Sequence, residues 1–287
     1  MNRIVLGGAQ LGLPYGILNG GETLSREEVA RILDTAAGHG IDSIDTAIAY
    51  GQSESVIGET AQNRFSIISK LPPLPPEVSN VSEWVHMQVE ASLSRLKCTS
   101  LDALLLHRSQ DLTDPHGAEL YGAISSLKIE KIIHRFGVSI YTPDELNSIL
   151  GTFDIDVVQA PLNVFDRRIL GVIDQLTARN IEVHVRSVFL QGVLIASPKD
   201  RPQRFQPWSE HFSQFDTWVR STGVSAMACC LGFALQQPGV AKLVIGTMSA
   251  ESLTEIMNSV PNMHLEVPAD LQSSIEQLID PRVWSVA

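Results

Sequence analysis

The 287 residues are 44% hydrophobic and 18% charged, with 32 acidic side chains against 21 basic ones and a formal net charge of −11. This composition supplies a large core and argues against disorder. The acidic excess argues against non-specific nucleic-acid binding, because such binding needs cations that displace counterions from phosphate. We therefore expect a globular protein of one or two domains.

The cysteines predict neither a disulfide framework nor a zinc site. Cys98, Cys229 and Cys230 are odd in number, and no C-x-x-C spacing occurs. No apolar run reaches the roughly 18 residues of a transmembrane helix, and the first residues do not resemble a signal peptide. We expect a cytoplasmic protein with reduced thiols, no membrane contact and no bound metal.

Short apolar runs alternate with amphipathic stretches along the whole chain. After the first run, Ser25 and Glu28 have the spacing of a capping box, which predicts a helix start. Residues 80–97 predict a second helix, and the continuous apolar run 101–106 predicts a strand that is buried on both faces. The eight predicted strands are residues 4–6, 41–44, 65–69, 101–106, 134–139, 156–159, 181–187 and 242–245.

This alternation predicts an α/β fold. A β-α repeat without a change of composition midway favours a single (β/α)₈ TIM barrel over residues 1–287. A doubly wound sheet is the alternative, but the sequence lacks a G-x-G-x-x-G motif after the first strand. Two connections are predicted to be long, the Pro-rich residues 71–79 and residues 191–212 after strand seven. In a barrel, the second would lie at the C-terminal face, where barrel enzymes keep their sites.

Polar side chains stand where three successive predicted strands end. They are Asp45, Lys70 and His107, and Tyr50 follows Asp45 on the next loop. In a barrel, all four would lie on one rim. The positive charge of Lys70 would lower the pKa of Tyr50, while Asp45 would keep Lys70 charged. His107 would hydrogen-bond a substrate oxygen or help to pass a proton.

This set of side chains predicts a general acid. Tyr50 would protonate a carbonyl oxygen as hydride reaches the carbonyl carbon. Because protein side chains supply no hydride, a nicotinamide cofactor is required. Each residue taken alone also has an ordinary explanation, such as a helix cap or a polar rim.

Two segments carry a resemblance to a known family. The segment Asp45-Thr-Ala-Ile-Ala-Tyr50-Gly-Gln-Ser-Glu54, followed by Gly58, resembles the signature of the aldo-keto reductase superfamily, and Leu104-Leu-Leu-His107 resembles its fourth-strand motif. Further similar segments are Gly137-Val-Ser139, Val158-Gln159, Pro161-Leu-Asn163 and Gln191-Gly-Val-Leu194. The resemblance covers essentially the whole chain. It implies a (β/α)₈ barrel, an NAD(P)-dependent carbonyl reductase and a catalytic tetrad of Asp45, Tyr50, Lys70 and His107.

The resemblance also implies which residues would hold the cofactor, NADPH or NADH. They are Ser139, Gln159, Arg186, Ser187, Gln191, Gly192, Gly246, Thr247, Ser249 and Glu255. Arg186 stands where the family usually has an aromatic residue that stacks on the nicotinamide, and a guanidinium can also stack on a flat ring. Ile140 replaces the asparagine that normally follows Ser139.

The segment after strand eight departs further from the family, which places cations there for a 2′-phosphate and an asparagine for adenine. Residues 246–256 contain two glutamates and no Lys or Arg, and Ile256 replaces the asparagine. Glu251 would repel a phosphate, although backbone N–H groups at a helix start would still attract an anion. The family favours NADPH, whereas this segment favours NADH or weak cofactor binding. Candidates to clamp the pyrophosphate are Lys199, Arg201 and Arg204.

The expected substrate is a small carbonyl compound, either an aldehyde or a sugar-like molecule, which would lie over Tyr50 and His107. The residues expected to line its pocket are Gln10, Tyr15, Trp84, Arg108 and Trp208. Arg108 favours an anionic or highly hydroxylated substrate, and Trp84 also fits the core face of a helix.

Two other functions stay open. A desolvated Lys70 at a strand end would suit a Schiff-base lyase. Ile140, Arg186 and Ile256 suggest instead a non-catalytic or regulatory barrel with weakened cofactor binding. We expect a monomer or a weak oligomer.

Overall fold

Eight parallel strands form a closed barrel in the computed structural model of the protein, which describes residues 3–18, 21–61 and 63–284. The strands are β1 (Ile4–Gly7), β2 (Ser43–Asp45), β3 (Ser66–Leu71), β4 (Leu101–Leu106), β5 (Ile133–Ser139), β6 (Val157–Pro161), β7 (Glu182–Arg186) and β8 (Val240–Ile245). They pair in chain order, and β1 pairs with β8 to close the sheet. The predicted (β/α)₈ barrel is confirmed.

All eight predicted strands are present, although several ends differ. The second strand begins two residues later than predicted, because Ile41 N donates to Ala36 O (2.9 Å) and still belongs to the end of the preceding helix. β3 continues to Leu71, so Lys70 is its penultimate residue and not the residue after it. The seventh strand ends at Arg186, because Ser187 adopts a left-handed conformation with φ of +60°.

Helices surround the barrel. In the described residues they are α1 (Ala9–Gly12), α2 (Arg26–Gly38), α3 (Ser53–Thr60), α4 (Val81–Leu96), α5 (Gly117–Ile129), α6 (Ile173–Ala178), α7 (Ser209–Thr222), α8 (Ala226–Leu235), α9 (Ala250–Asn258) and α10 (Glu276–Ile279). The predicted helix over residues 80–97 is α4. Ser25 caps α2 as expected, since its Oγ accepts a hydrogen bond from Glu28 N (3.2 Å).

A small apolar cluster fills the barrel interior. It consists of Val5, Ile68, Ala103, Leu105 and Val157. Side chains two positions apart on a strand point to the same face. The next inward-facing layer therefore contains Gly7, Lys70, His107 and Gln159. This alternation places polar groups directly above an apolar plug, at the carboxyl ends of the strands.

The connection after β7 is long, as predicted, but it is partly ordered into 3₁₀ turns. Residues 187–208 include the turns Pro198–Asp200 and Gln203–Trp208, and α7 begins at Ser209. Both α7 and α8 lie between β7 and β8.

No single helix of the described residues is long and apolar enough to cross a bilayer. The bent pair Gln203–Thr222 and Ala226–Leu235, which meet at 88°, passes that test only when taken together.

Candidate active site

A buried ion pair lies at the centre of the strand ends. Lys70 Nζ is 2.5 Å from Asp45 Oδ1 and also donates to Thr46 O (2.8 Å). Gln159 Nε2 donates to the other carboxylate oxygen, Oδ2 of Asp45 (2.6 Å). Lys70 is 1% exposed and Asp45 3%. A desolvated ion pair is tolerated only when its remaining polar atoms are satisfied in this way.

Tyr50 lies beside this pair and beside His107. Lys70 Nζ is 5.3 Å from the centroid of the Tyr50 ring, and the His107 ring packs against it edge to face, with 5.6 Å between centroids. A tight turn holds the backbone of Tyr50. Its backbone N–H donates to Ala47 O, and its carbonyl oxygen accepts from Ser53 N, both at 3.0 Å. The four residues of the predicted tetrad therefore lie together.

The acidity of Tyr50 differs from the expectation. Burial and the negative charge of Asp45 raise the pKa of Tyr50, while Arg186 opposes this rise. The prediction that Lys70 lowers this pKa is wrong for the protein alone, because Asp45 neutralises the ammonium group at 2.5 Å. Tyr50 therefore stays protonated at neutral pH, the state that a proton donor requires.

His107 is neutral at physiological pH. Burial, followed by the nearby charges of Lys70 and Arg186, lowers its pKa to about 4. A neutral imidazole both donates and accepts a hydrogen bond. His107 is not part of the lining of the cleft described below, but it packs against Tyr50, which is, and it adds no charge to the site.

A cleft of about 620 Å³ extends from Tyr50 and Asp45 to α9. Ten of the residues predicted to bind cofactor or substrate line it: Gln10, Tyr15, Gln159, Arg186, Ser187, Gln191, Gly192, Gly246, Thr247 and Glu255. Glycine at position 246 leaves room for the side chain of Gln10, because a Cβ there would lie 2.4 Å from the Gln10 amide and would make it shift.

Three residues predicted to contact substrate do not line this cleft. Trp84 packs into the core from α4 and is 9% exposed, as a core helix residue would be. Arg108 turns away to pair with Asp111 (Nε to Oδ1, 2.7 Å). Trp208 packs beside Phe205, with 6.4 Å between ring centroids.

The other two predicted cofactor residues, Ser139 and Ser249, do not line the cleft. Ser249 caps α9, where its Oγ accepts from Ser252 N (3.0 Å). Ser139 ends β5, is 4% exposed and pairs with Gln159 in the strand ladder, and it does not line the cleft.

The predicted pyrophosphate clamp is not formed. Arg201 pairs with Asp216 (Nη1 to Oδ2, 2.8 Å), and Arg204 donates to the carbonyl oxygen of Trp284. Lys199 is exposed, and none of these three cations lines the cleft.

The start of α9 is occupied by the protein's own groups. Ala250 N, at the first residue of α9, donates to Oε1 of Glu28 in α2 (2.9 Å), so this hydrogen bond joins the two helices. Glu251 pairs with Arg31 and lies outside the lining of the cleft, whereas Glu255 lines it. The expectation of an anion site at this helix start is therefore wrong for Ala250 N, which already has an anionic partner.

Two features of the site were missed by sequence reasoning. Ser225, Ala226 and Met227 at the start of α8 also line the cleft. Ser225 before an apolar run signals a helix cap, but its place at the cleft depends on tertiary packing. Tyr141 stacks on Arg186, with 4.2 Å from the guanidinium carbon to the ring centroid. Tyr141 follows β5 closely, so the strand-end argument applied to Asp45 would have found it.

A closed barrel with a polar site and a deep cleft at the carboxyl ends of its strands defines a barrel enzyme. A family model described as the Aldo/keto reductase family matches residues 3–279. The chain belongs to this family of oxidoreductases, whose members use nicotinamide cofactors and small carbonyl substrates.

Individual relatives are distant but match most of the chain. D-arabinose 1-dehydrogenase of Saccharomyces cerevisiae is 26% identical over 279 residues, which cover 88% of this chain and 81% of the relative. 6-dehydroglucose reductase of Novosphingobium aromaticivorans is 25% identical, with 79% of each chain covered.

Solved structures share the fold. The holo form of aldo-keto reductase AKR11C1 from Bacillus halodurans has a TM-score of 0.74 at 20% identity and covers 92% of this chain and 88% of its own. An aldo/keto reductase from Klebsiella pneumoniae in complex with NADP and acetate has a TM-score of 0.70 at 22% identity. The match covers 98% of this chain and 92% of the Klebsiella chain.

Proposed function

We propose that the protein reduces an aldehyde or sugar-like carbonyl to an alcohol, with Tyr50 as the proton donor. The observation that carries this proposal is the position of Tyr50, which lines the cleft and lies beside the Asp45–Lys70 pair and His107. The names of two relatives, a sugar dehydrogenase and a dehydroglucose reductase, support a sugar-like substrate.

The cleft suits a nicotinamide dinucleotide. Its glycine floor at Gly7, Gly8 and Gly246 leaves space where a Cβ would meet other atoms. The residues that would hold the cofactor are Gln159, Ser187, Gln191, Gly192, Gly246, Thr247 and Glu255. When bound, the nicotinamide supplies the hydride.

The protein's own residues then manage the proton. Tyr50 gives its proton to the carbonyl oxygen as negative charge develops there. His107, as a neutral donor, hydrogen-bonds the same oxygen. The positive charge of Arg186, which opposes the rise of the Tyr50 pKa, favours the negative charge left on Tyr50. The Asp45–Lys70 pair, held by Gln159 and Thr46 O, lies beneath the phenol as a fixed and neutral support.

Replacing Tyr50 by Phe tests this assignment. The variant should lose about 10²- to 10⁴-fold in kcat and bind the nucleotide as the wild type does, measured by nicotinamide fluorescence. Tyr121→Phe is the matched control, because Tyr121 lies on α5 and its hydroxyl contacts Asp154 O. Carbonyl reduction by Tyr50→Phe at the wild-type rate would show that the proton comes from another group.

We further infer that NADH is the preferred cofactor. The lining of the cleft at α9 includes the carboxylate of Glu255 and no Lys or Arg among the described residues. A carboxylate accepts hydrogen bonds from ribose hydroxyls but repels a 2′-phosphate. The Ala250 N–H, which would attract an anion, already donates to Glu28.

A titration of both nucleotides tests this preference. We expect NADH to bind at least about tenfold more tightly than NADPH, since one charge contact contributes about 1.5–3 kcal/mol. Glu255→Gln should reduce the ratio of the NADPH Kd to the NADH Kd. Glu251→Gln should not, because Glu251 on the same helix lies outside the cleft. Tighter binding of NADPH by the wild type would refute the inference.

The two other functions have less support. As a Schiff-base nucleophile, Lys70 would need a free amine that faces substrate, but Lys70 is 1% exposed, donates to Asp45 and Thr46, and does not line the cleft. Borohydride should therefore trap no substrate on Lys70. A regulatory barrel would be favoured only if neither nucleotide bound.

A further inference from the structure

Arg186 brings a positive charge to the reacting end of the cleft. It ends β7 and lines the cleft together with Asp45 and Tyr50. Its charge acts on both Tyr50 and His107, since it opposes the rise of the Tyr50 pKa and contributes to the low pKa of His107. Arg186 therefore lines the same end of the cleft as Tyr50, the proposed proton donor.

Among the residues that the structure describes, the hydrogen-bond and stacking partners of the Arg186 guanidinium are neutral. Its Nη2 donates to Ile140 O (3.1 Å), and one face stacks on Tyr141, whose ring also contacts Arg282 with 3.9 Å from the guanidinium carbon to the centroid. In the part of the chain that the structure describes, no carboxylate oxygen lies within 4.0 Å of Arg186. Arg282, by contrast, pairs with Asp280.

The other charges of the site cancel. Lys70 and Asp45 form an ion pair, both carboxylate oxygens of Asp45 are engaged, and His107 is neutral. Arg186 thus leaves the reacting end of the cleft with one positive charge, although the whole chain has a net charge of −11. An uncompensated, partly buried cation is costly, and an anionic ligand would remove that cost.

We propose that Arg186 binds a carboxylate of the substrate, so that the cleft selects carbonyl compounds that also carry a carboxylate group. This proposal rests on the proposed carbonyl reduction and specifies its substrate class. A carboxylate carries one negative charge, which one guanidinium balances through paired hydrogen bonds. A phosphate carries about −1.5 to −2 and would leave charge uncompensated.

Tyr15 supports the choice of a carboxylate. It lines the cleft and is 39% exposed, and its phenol hydroxyl is a neutral hydrogen-bond donor at pH 7. A carboxylate accepts about four hydrogen bonds. The guanidinium of Arg186 and a phenol hydroxyl can therefore both donate to one carboxylate group.

Paired substrates that differ only in the carboxylate test the proposal. 4-Oxobutanoate is compared with butanal, and D-glucuronate with D-glucose, by kcat/KM. We expect the acid to be preferred about tenfold to a hundredfold in at least one pair, the range of a charged hydrogen bond. Arg186→Met should reduce this ratio to about one, and Arg186→Lys should retain part of it.

The ratio separates substrate recognition from other roles of Arg186. If Arg186 served only to stack on the nicotinamide, Arg186→Met would slow both members of a pair equally and leave the wild-type ratio intact, which would overturn the proposal. Arg220→Met is the control for loss of one positive charge, because Arg220 is exposed on α7. Equal use of acid and neutral substrate by the wild type in both pairs would also overturn it. A phosphorylated aldehyde preferred over both acids would assign the site to phosphate instead.

A binding measurement keeps this test independent of turnover. Calorimetric titration with 4-hydroxybutanoate and 1-butanol, the corresponding alcohols, needs no reaction. The carboxylate site is supported if 4-hydroxybutanoate binds and 1-butanol does not, and if this binding is lost in Arg186→Met but kept in Arg220→Met. This result would stand even if the protein reduced no aldehyde, and the proposed reduction would then fail separately. Equal binding of acid and alcohol, or no loss in Arg186→Met, would show that Arg186 binds no carboxylate.

Discussion

At the scale of single residues, the Asp45–Lys70 pair is the most constrained part of the site. Both groups are buried, and each has a further hydrogen-bond partner, Gln159 for Asp45 and Thr46 O for Lys70. Removing one member of such a pair leaves a buried charge without its counter-ion, whereas removing both charges does not.

Lys70→Met should therefore lower the free energy of unfolding by about 3–5 kcal/mol. The double variant Lys70→Met/Asp45→Asn should be more stable than Lys70→Met, because the amide oxygen that replaces the carboxylate still accepts from Gln159 and carries no charge. Urea denaturation of the wild type, both single variants and the double variant measures the coupling. Additive effects would mean that the two charges do not compensate each other.

His107 predicts a pH dependence of stability. Its pKa is about 4 in the folded protein against an ordinary value of 6.5, so between these values the unfolded chain binds more protons. The stability from a neutral His107 is therefore complete above pH 6.5 and is lost as the pH falls to 4. Wild type should lose roughly 1–3 kcal/mol more than His107→Gln between pH 7 and pH 4. The free energy of unfolding is measured by urea denaturation at both pH values. An equal loss in wild type and His107→Gln would contradict this prediction.

The inward position of two residues of the proposed catalytic set could be predicted from sequence, because strand periodicity determines which side chains face the barrel interior. Once the strands are placed, Lys70 and His107 face inward above Ile68 and Leu105, two residues before each. The same argument would place Tyr141 at this rim, but its stacking on Arg186 could not be predicted, because that contact depends on tertiary packing between the ends of β5 and β7. Trp84 was predicted to line the substrate pocket but packs in the core, because its spacing on α4 fits either position.

At the scale of elements, the contact between α3 and α4 depends on one glycine. A Cβ on Gly58 of α3 would lie 2.0 Å from the carbonyl oxygen of Arg95 in α4, a rigid backbone atom. Nearby, the buried Glu54 of α3 accepts from Ser92 and Arg95 of α4 at 2.6 and 2.8 Å. These bonds fix the helix that follows Tyr50, and hence the turn that holds the phenol.

Gly58→Ala should therefore destabilise the protein by about 1–3 kcal/mol or more, as overpacking does. Gly122→Ala is the matched control, because a Cβ at this exposed site on α5 meets no atom within 4 Å. Alanine there should raise the free energy of unfolding by up to about 1 kcal/mol. Thermal denaturation compares the two, and equal effects would refute the close approach of α3 and α4.

Element ends show where local sequence rules stop. Ser25 and Glu28 predict the start of α2 correctly, and Ser25 caps it. The carboxylate of Glu28, however, accepts from Ala250 N of α9, which is 222 positions away. A capping motif predicts where a helix begins. It does not predict which group will donate to the carboxylate of its glutamate, because that depends on which helix packs beside it.

At the scale of the molecule, the prediction of a single domain over residues 1–287 can be tested by unfolding. Trp84 lies on α4 and Trp218 on α7, which belong to different parts of the barrel's outer layer. One cooperative unit should give coincident midpoints for tryptophan fluorescence and far-UV circular dichroism in the wild type, Trp84→Phe and Trp218→Phe. Separate midpoints within any one protein would indicate independent units.

The pairing of β1 with β8 has a consequence for how the chain reaches its fold. Ile4 pairs with Leu243, so closure of the barrel joins residues that are 239 positions apart. Such non-local pairing is slow, because loop-closure entropy is lost before the contact forms. Until Val240–Ile245 arrives, β1 and β7 remain open strand edges, which are templates for aggregation. A chain that ends before Val240 should therefore aggregate and not form a smaller barrel.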